Sequence, residues 1–250
     1  MNVLYFASSR GNGLTYHLTQ YAIGLKKADI NITAIFEEEP YKEDLIKKLN
    51  ENKVNNISKE GLDSINLFFF FKNCFWVAKL IDQYCFEIIQ CQGVYHLVLV
   101  YISRIFSNQN PKILMYFHAF PFKYFQTPPK SRIVLPFLVK VINKLADGIL
   151  PVSHQTANFL FKFGLDPKKT FVVYNSINFR KLNQYKNAEI QDKVQLSNIL
   201  SNKRVIINIA QLETHKGQEI LLKAAKDLLH KYYDLFFVII GDGALKNDLI

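Results

Sequence analysis

Short apolar runs that alternate with helix-period stretches constrain this chain more than any other feature. Asn2 to Ala7 reads as a buried strand that enters the loop Ser8, Ser9, Arg10, Gly11, Asn12, Gly13. Leu14, Leu18, Tyr21, Ala22 and Leu25 then recur at helical spacing. Further strand-like runs lie at Ile30 to Phe36, Glu87 to Cys91, Lys112 to Phe117, Gly148 to Val152 and Thr170 to Tyr174. Between most of them fall helical patterns, at Cys74 to Tyr84, Val94 to Phe106, Arg132 to Leu145 and Ser153 to Phe163. This alternation predicts an α/β fold, a parallel sheet covered by helices on both faces.

Residues 176–203 interrupt the rhythm with a polar, Asn-, Gln- and Lys-rich stretch, after which it restarts. Strand Arg204 to Ala210, a helix with Ile220, Leu221, Ala224, Ala225, Leu228 and Leu229 on one face, and strand Leu235 to Ile240 form a second βαβ unit. The expected organisation is a first domain over 1–175, a linker over 176–203, and a second domain begun over 204–250 and incomplete at Ile250.

A content of 49% hydrophobic residues excludes disorder, and no apolar run reaches the ~18 residues of a membrane span. With no leader pattern ahead of Asn2, a cytoplasmic location is expected. Cys74, Cys85 and Cys91 are odd in number and lie in apolar segments, which predicts buried free thiols rather than a metal or redox site. The net charge of +10 is unevenly placed. From Ile88 to Ala146 there is no Asp or Glu, while Arg104, Lys112, Lys123, Lys130, Arg132, Lys140 and Lys144 all fall there, so this half-domain should attract anions.

Four positions point to chemistry. Gly11 and Gly13 stand where an open α/β sheet binds ligands and where a helix N-terminus offers N–H groups, or they make an ordinary tight turn. The third glycine of a dinucleotide fingerprint would fall at Tyr16, yet Glu37 at the end of the second strand could hold a ribose, which keeps an NAD-dependent oxidoreductase open. His118 ends an apolar strand, placed to hydrogen-bond a sugar hydroxyl or to polarise a leaving group. Lys216, in Thr214-His215-Lys216-Gly217, opens a helix where its charge opposes the macrodipole unless an anion lies between them. Gly241 and Gly243 flank Asp242 at the next strand end and leave room for a ligand.

The segment Leu145 to Asn178, with Leu-Ala-Asp-Gly-Ile-Leu-Pro-Val-Ser-His, Phe-Gly-Leu-Asp-Pro-Lys-Lys and Val-Val-Tyr-Asn-Ser-Ile-Asn, resembles the interdomain region of glycosyltransferase family 4. Asn208-Ile-Ala-Gln-Leu-Glu-Thr-His-Lys-Gly-Gln, Leu221-Leu-Lys-Ala-Ala and Ile239-Ile-Gly-Asp-Gly-Ala resemble the start of that family's donor domain. The resemblance implies a GT-B fold, with a complete N-terminal Rossmann-like domain and the first βαβ of a second. It implies transfer of a sugar from a nucleotide-sugar donor to a glycan or lipid-linked acceptor in cell-surface polysaccharide or lipopolysaccharide synthesis, with retention, no bound metal and no cofactor. Carried over residue by residue, Gly11 and Gly13 match the N-terminal glycine loop, His118 the catalytic histidine beside the donor sugar, and Lys216 the lysine on the donor diphosphate. Gln211 stands where many members carry an arginine, so it can donate hydrogen bonds but no charge. The family's paired glutamates would lie beyond Ile250, from which the 250-residue chain alone is expected to be inactive. The alternative is a non-catalytic acceptor-binding subunit or a degenerate remnant.

Phe120, Phe122 and Tyr124 interleave with Lys123, Lys130 and Arg132 on the acceptor side, a pattern suited to an anionic membrane surface or a lipid phosphate. Peripheral association with the inner face of the cell membrane is expected, and no nucleic-acid motif accompanies the basic residues. Leu67 to Phe71, followed by Phe75, Trp76 and Val77, reads as a buried strand capping a core helix, with a second membrane contact as the alternative.

Overall fold

The computed structural model describes residues 1–7, 12–38, 43–117, 128–177, 179, 183, 197–198 and 200–249. They fall into two compact units, Met1–Asn178 and Phe179–Ile250. Most of the expected linker lies outside the described residues.

The first unit runs β1 (Asn2–Ala7), α1 (Asn12–Lys27), β2 (Asn31–Glu37), α2 (Glu43–Glu51), β3 (Asn55–Lys59), α3 (Leu67–Tyr84) and β4 (Ile88–Cys91). It continues with α4 (Val94–Phe106), β5 (Lys112–Phe117), α5 (Pro128–Leu145), β6 (Gly148–Pro151) and α6 (His154–Phe161). Its six strands are parallel, in the order β3-β2-β1-β4-β5-β6. The chain starts in the middle, winds outward to β3, then crosses to β4 and winds the other way. The direction of winding therefore reverses between β1 and β4, and at such a point a crevice opens beyond the strand ends.

Side chains alternate across this sheet as the pleat requires. Leu4, Phe6, Ile89, Cys91, Ile113 and Met115 join Val77, Ile81, Leu97, Val100, Val139 and Ile142 of α3, α4 and α5 in the main core. Tyr5, Ile32, Ala34 and Phe36 join Ala22, Leu45 and Leu49 of α1 and α2 on the opposite face. Each fully buried aliphatic or aromatic side chain contributes about 1.5–3 kcal/mol, so both layers are anchored by the strands between them.

Several elements depart from expectation. β3 has no apolar signature, because an edge strand is buried on little of its surface, as Asn-Asn-Ile-Ser-Lys shows; α2 is not among the predicted helices although Leu45 and Leu49 share one buried face. Thr170 to Tyr174 is extended beside β6 rather than a full strand: Phe171 and Val173 each donate one N–H, to Ile149 O and Pro151 O at 2.9 Å. α3 begins at Leu67, seven residues before the predicted helix, because Asn66 caps it by accepting from Phe68 N at 2.9 Å. The buried strand expected at Leu67 to Phe71 is thus the first turn and a half of a helix, exposed except at the half-buried Phe70. Cys74 and Cys91 are buried free thiols, and burial pushes both up; Cys85 is exposed, in the left-handed residue that ends α3.

Asp147, between α5 and β6, ties three elements together. It accepts from Ile113 N at 2.9 Å and Arg104 Nη1 at 3.0 Å, with Lys112 Nζ at 3.6 Å. Partial burial pushes its carboxyl up, but the Ile113 N–H and the two cations outweigh this and hold it below the usual value. A carboxyl lowered on folding stabilises the protein above its unfolded value, near pH 4, and that contribution disappears as pH falls through the folded value. Asp147→Asn should therefore cost about 1–2 kcal/mol at neutral pH and reduce the loss of stability below about pH 4, measured by thermal unfolding across pH. An unchanged acid limb would count against this assignment.

The second unit has β7 (Arg204–Ile209), α7 (Gln218–Leu229) and β8 (Leu235–Ile240), with β7 and β8 parallel over six residue pairs. Of the apolar face expected on α7, Leu221, Ala225 and Leu228 turn inward, while Ile220, Ala224 and Leu229 are exposed. Two strands cover only one side of a helix, and Ile207, Ile209 and Ile240 are likewise uncovered.

Candidate functional site

The carboxyl ends of β1 and β4 meet at the reversal point of the first sheet, and a polar cluster lies beneath them. Gln90 and Gln92 are buried on the α1 face of β4, because residues two apart share a face. Tyr21 of α1 donates to Gln90 Oε1 at 2.7 Å, and the Gln92 amide is hydrogen-bonded to the Tyr5 hydroxyl. Tyr116 of β5 donates to Val173 O at 3.1 Å. Burial, then the neighbouring Tyr21 and Tyr116, push the Tyr5 phenol well above its ordinary value, and burial raises Tyr21 as well. Burial and Tyr21 bring Tyr116 up to about 12. The three phenols are therefore neutral hydrogen-bonding groups at physiological pH, not bases. Gln92 Oε1 is buried with no partner among the described residues.

A second network fixes the turn after β4 from the other side. Glu37, at the end of β2, accepts from Gly61 N at 2.6 Å and Asp63 N at 2.7 Å. Asp63 Oδ1 lies 2.7 Å from His96 Nε2, and His96 Nδ1 lies 3.2 Å from Gln92 O. Asn73 Nδ2 donates to Gly61 O at 2.7 Å, and Tyr95 donates to Ser64 O at 2.8 Å. A chain of polar contacts thus runs from the β2 end through the β3–α3 loop to the residues that close the crevice. Both Glu37 oxygens hold backbone of this loop, so the carboxylate that could have bound a ribose has a structural engagement.

The predicted residues of the first unit are placed unevenly. Gly13 belongs to the first turn of α1 rather than to the loop, since the helix begins at Asn12. Gly11, His118, Phe120, Phe122, Lys123 and Tyr124 lie outside the described residues. Lys130 and Arg132 are in α5, within its first two turns.

In the second unit the structure brings Gln211, Lys216, Gly241 and Gly243 to one place, the carboxyl edge of β7 and β8. Ala210 N donates to Ile240 O at 3.1 Å and Leu212 N to Asp242 O at 3.0 Å, so the loop after β7 runs alongside the loop after β8 and continues the parallel pairing. Gln218 Nε2 donates to Gln211 O at 2.9 Å and pins this pairing to the start of α7. Lys216 is exposed in the short 3₁₀ turn Thr214–Lys216. Gly217 follows at φ 75°, and as the residue before α7 it contributes no side-chain cap. An ammonium beside an uncapped helix N-terminus is an arrangement that receives an anion.

The glycines here answer to the chain itself. A Cβ on Gly241 would fall inside the Ala210 carbonyl oxygen, and one on Gly243 would lie 2.5 Å from Leu212 O and 2.8 Å from Leu212 N. The space expected for a ligand at these two positions holds the chain's own 210–212 backbone. Among the described residues no group of three or more His, Cys, Asp or Glu side chains could hold a metal ion, and no helix is long and apolar enough to cross a membrane.

Gln90, Gln92, Asp63 and His96 escape notice in the sequence. The signal was there for the glutamines: polar residues two apart in the apolar run Ile-Ile-Gln-Cys-Gln mark one face of a strand that is not simply core. Asp63 and His96 are thirty-three residues apart and meet only through the crossover from β3 to β4.

The family described as Glycosyltransferase Family 4 matches residues 11–181, and that described as Glycosyl transferases group 1 matches residues 189–250. An uncharacterized glycosyltransferase of Methanocaldococcus jannaschii is 29% identical over 153 residues, 60% of this chain and 37% of that protein. The N-acetylgalactosamine-N,N'-diacetylbacillosaminyl-diphospho-undecaprenol 4-alpha-N-acetylgalactosaminyltransferase of Campylobacter jejuni is 26% identical over 150 residues, 60% of this chain and 38% of that protein. The chain thus aligns with under two fifths of the length of these curated relatives. Among solved structures, a glycosyltransferase from Rickettsia africae superposes with a TM-score of 0.76 at 18% identity, covering 98% of this chain and 61% of that one. Anabaena HepE in complex with UDP and glucose gives 0.69 at 17% identity, covering 99% and 63%.

Proposed function

This chain belongs to glycosyltransferase family 4, and we propose that it serves to move a sugar from a nucleotide-sugar donor to a glycan or lipid-linked acceptor. Its fold is of the GT-B type, with the six-stranded Rossmann-like unit followed by the first βαβ of another. The observation that carries the reading is the exposed Lys216 at the uncapped start of α7, in the half that matches the group 1 glycosyltransferases. A diphosphate leaving group gains negative charge as the glycosidic bond breaks, and an ammonium fixed beside helix N–H groups stabilises that charge. UDP in the HepE structures supports a uridine-diphosphate sugar as donor. The diphospho-undecaprenol in the name of the Campylobacter relative supports a lipid-linked acceptor; the reading places this transfer in cell-surface glycan synthesis at the inner face of the membrane.

In this reading Gly11 and Gly13 let backbone approach the donor phosphates, His118 contacts the donor sugar, and Gln211 replaces a cation with hydrogen bonds. Gly241 and Gly243 shape the loop that carries Gln211. Phe120, Phe122, Lys123, Tyr124, Lys130 and Arg132 line the acceptor side. Transfer proceeds with retention and without a metal or cofactor, the nucleotide sugar being a substrate.

Calorimetric titration tests the donor assignment. UDP should bind, and Lys216→Ala should weaken it about 10- to 100-fold, the worth of one charge-assisted contact. Binding of NAD in place of UDP would overturn the reading.

A further inference from the structure

α3 carries apolar residues on both of its sides, although a helix that covers a sheet needs them on one. At 3.6 residues per turn, Asn73, Cys74, Val77, Ala78, Leu80 and Ile81 form the inward arc, and all are buried. The opposite arc should be polar. Instead it holds Phe68, Phe71 and Phe75, exposed by 74%, 44% and 51%, interleaved with the exposed Lys72 and Lys79. Phe75 meets Phe106, the last residue of α4, at 4.6 Å between ring centroids, so the aromatic surface continues onto the next helix, where Ile105 is also exposed. The single tryptophan, Trp76, stands at the shoulder of this arc with the Lys59 ammonium 5.0 Å from its ring.

We propose that the outward arc of α3, with Phe106, docks on an anionic lipid bilayer. The proposal rests on the lipid-linked acceptor reading above and gives that reading a surface. Charge selects the occupant. The one acid of α3 is Asp82, at its far end, where Ser107 Oγ and Asn108 N donate to it at 2.6 and 2.8 Å. Glu60 and Asp63 precede the helix, and Asp63 is paired with His96. α4 and α5 have no acid at all. A second copy of a chain with net charge +10 would set Lys72 and Lys79 against their equivalents, whereas a headgroup layer accepts ammonium groups and aromatic rings side by side. Topology gives the contact a direction. Because α3 follows β3, its aromatic first turns stand at the carboxyl edge of the sheet, so docking there holds the edge that carries the β1–β4 crevice close to the membrane plane.

The test is flotation of the full chain with vesicles of phosphatidylcholine alone or with about one third phosphatidylglycerol, with Trp76 emission read in parallel. Binding should require the anionic lipid and should shift Trp76 emission to shorter wavelength. Phe68→Ser, Phe71→Ser and Phe75→Ser together should reduce binding about tenfold or more, as should Lys72→Gln with Lys79→Gln. Ile207→Ser with Ile209→Ser, which alters the exposed apolar surface of the second unit, should leave binding unchanged. Equal flotation of the aromatic triple variant, or no flotation of the unaltered chain, would overturn the proposal. So would a concentration-dependent dimer in light scattering that the triple variant abolishes, which assigns the arc to a second copy. UDP titration of the same proteins keeps the two readings apart, since loss of UDP binding with intact flotation removes the donor assignment alone.

Discussion

Gly241→Ala should destroy protection from hydrogen exchange across β7 and β8 while the six-stranded sheet keeps its own. The added methyl would occupy the position of the Ala210 carbonyl oxygen, with Ala210 C at 3.1 Å and Leu212 Cδ2 at 3.4 Å behind it. The obstacle is backbone, and it cannot rotate away. Ala210 N is bonded to Ile240 O, Leu212 N to Asp242 O and Leu245 N to Leu212 O, so relief means breaking this pairing itself. Overpacking a well-filled site costs about 1–3 kcal/mol, and here the strain falls on a two-stranded sheet with little else to oppose it, so about 3 kcal/mol or more is expected. Gly24→Ala is the matched control. Gly24 sits in α1 with no atom within 4 Å of an added Cβ, and the change should stabilise by up to about 1 kcal/mol. Unaltered exchange in β7 and β8 of Gly241→Ala would refute the close approach of the two backbones.

Asp63→Ala should cost about 2–4 kcal/mol in chemical denaturation of the first unit. It removes the acceptor 2.7 Å from the Nε2 of a His96 side chain that is only 6% exposed. Breaking one partner of a buried pair strands the other, which costs more than the pair contributed. The carboxylate is itself 27% exposed, which keeps the figure below that of a fully buried pair. Asp63→Asn keeps an oxygen at the site and should recover at least half of the loss. The consequence extends to the crevice, since His96 Nδ1 lies 3.2 Å from Gln92 O. If Asp63→Ala and Asp63→Asn lose the same stability, the contact to His96 is not what Asp63 contributes.

Much of the fold was legible from residue pattern. β1, β5, α4 and β8 occupy the predicted residues, because each is a run whose burial demands continuous apolarity or one full helical face. β3 was not legible, since an edge strand meets one neighbour and tolerates Asn, Ser and Lys. α3 misled for a related reason. Leu-Phe-Phe-Phe-Phe satisfies a buried strand as readily as a helix, and only the Asn66 cap and the outward exposure of Phe68 and Phe71 decide it.

The site divides in the same way. Lys216, Gln211, Gly241 and Gly243 could be named from the sequence because they lie in two short loops, each at the end of an apolar run. Why the last two are glycine could not be read there. It depends on the close pairing of two loops about thirty residues apart, where the chain's own Ala210 and Leu212 take up the space. By itself, then, the sequence determined the α/β alternation and the family, both of which are carried by local spacing and contiguous motifs. Tertiary structure alone decided the β1–β4 reversal, the Glu37–Asp63–His96–Gln92 network and the aromatic outer arc of α3. Each of these needs groups brought together, or turned to solvent, by helices that cross from one strand to another, and no spacing along the chain encodes which face such a helix will present.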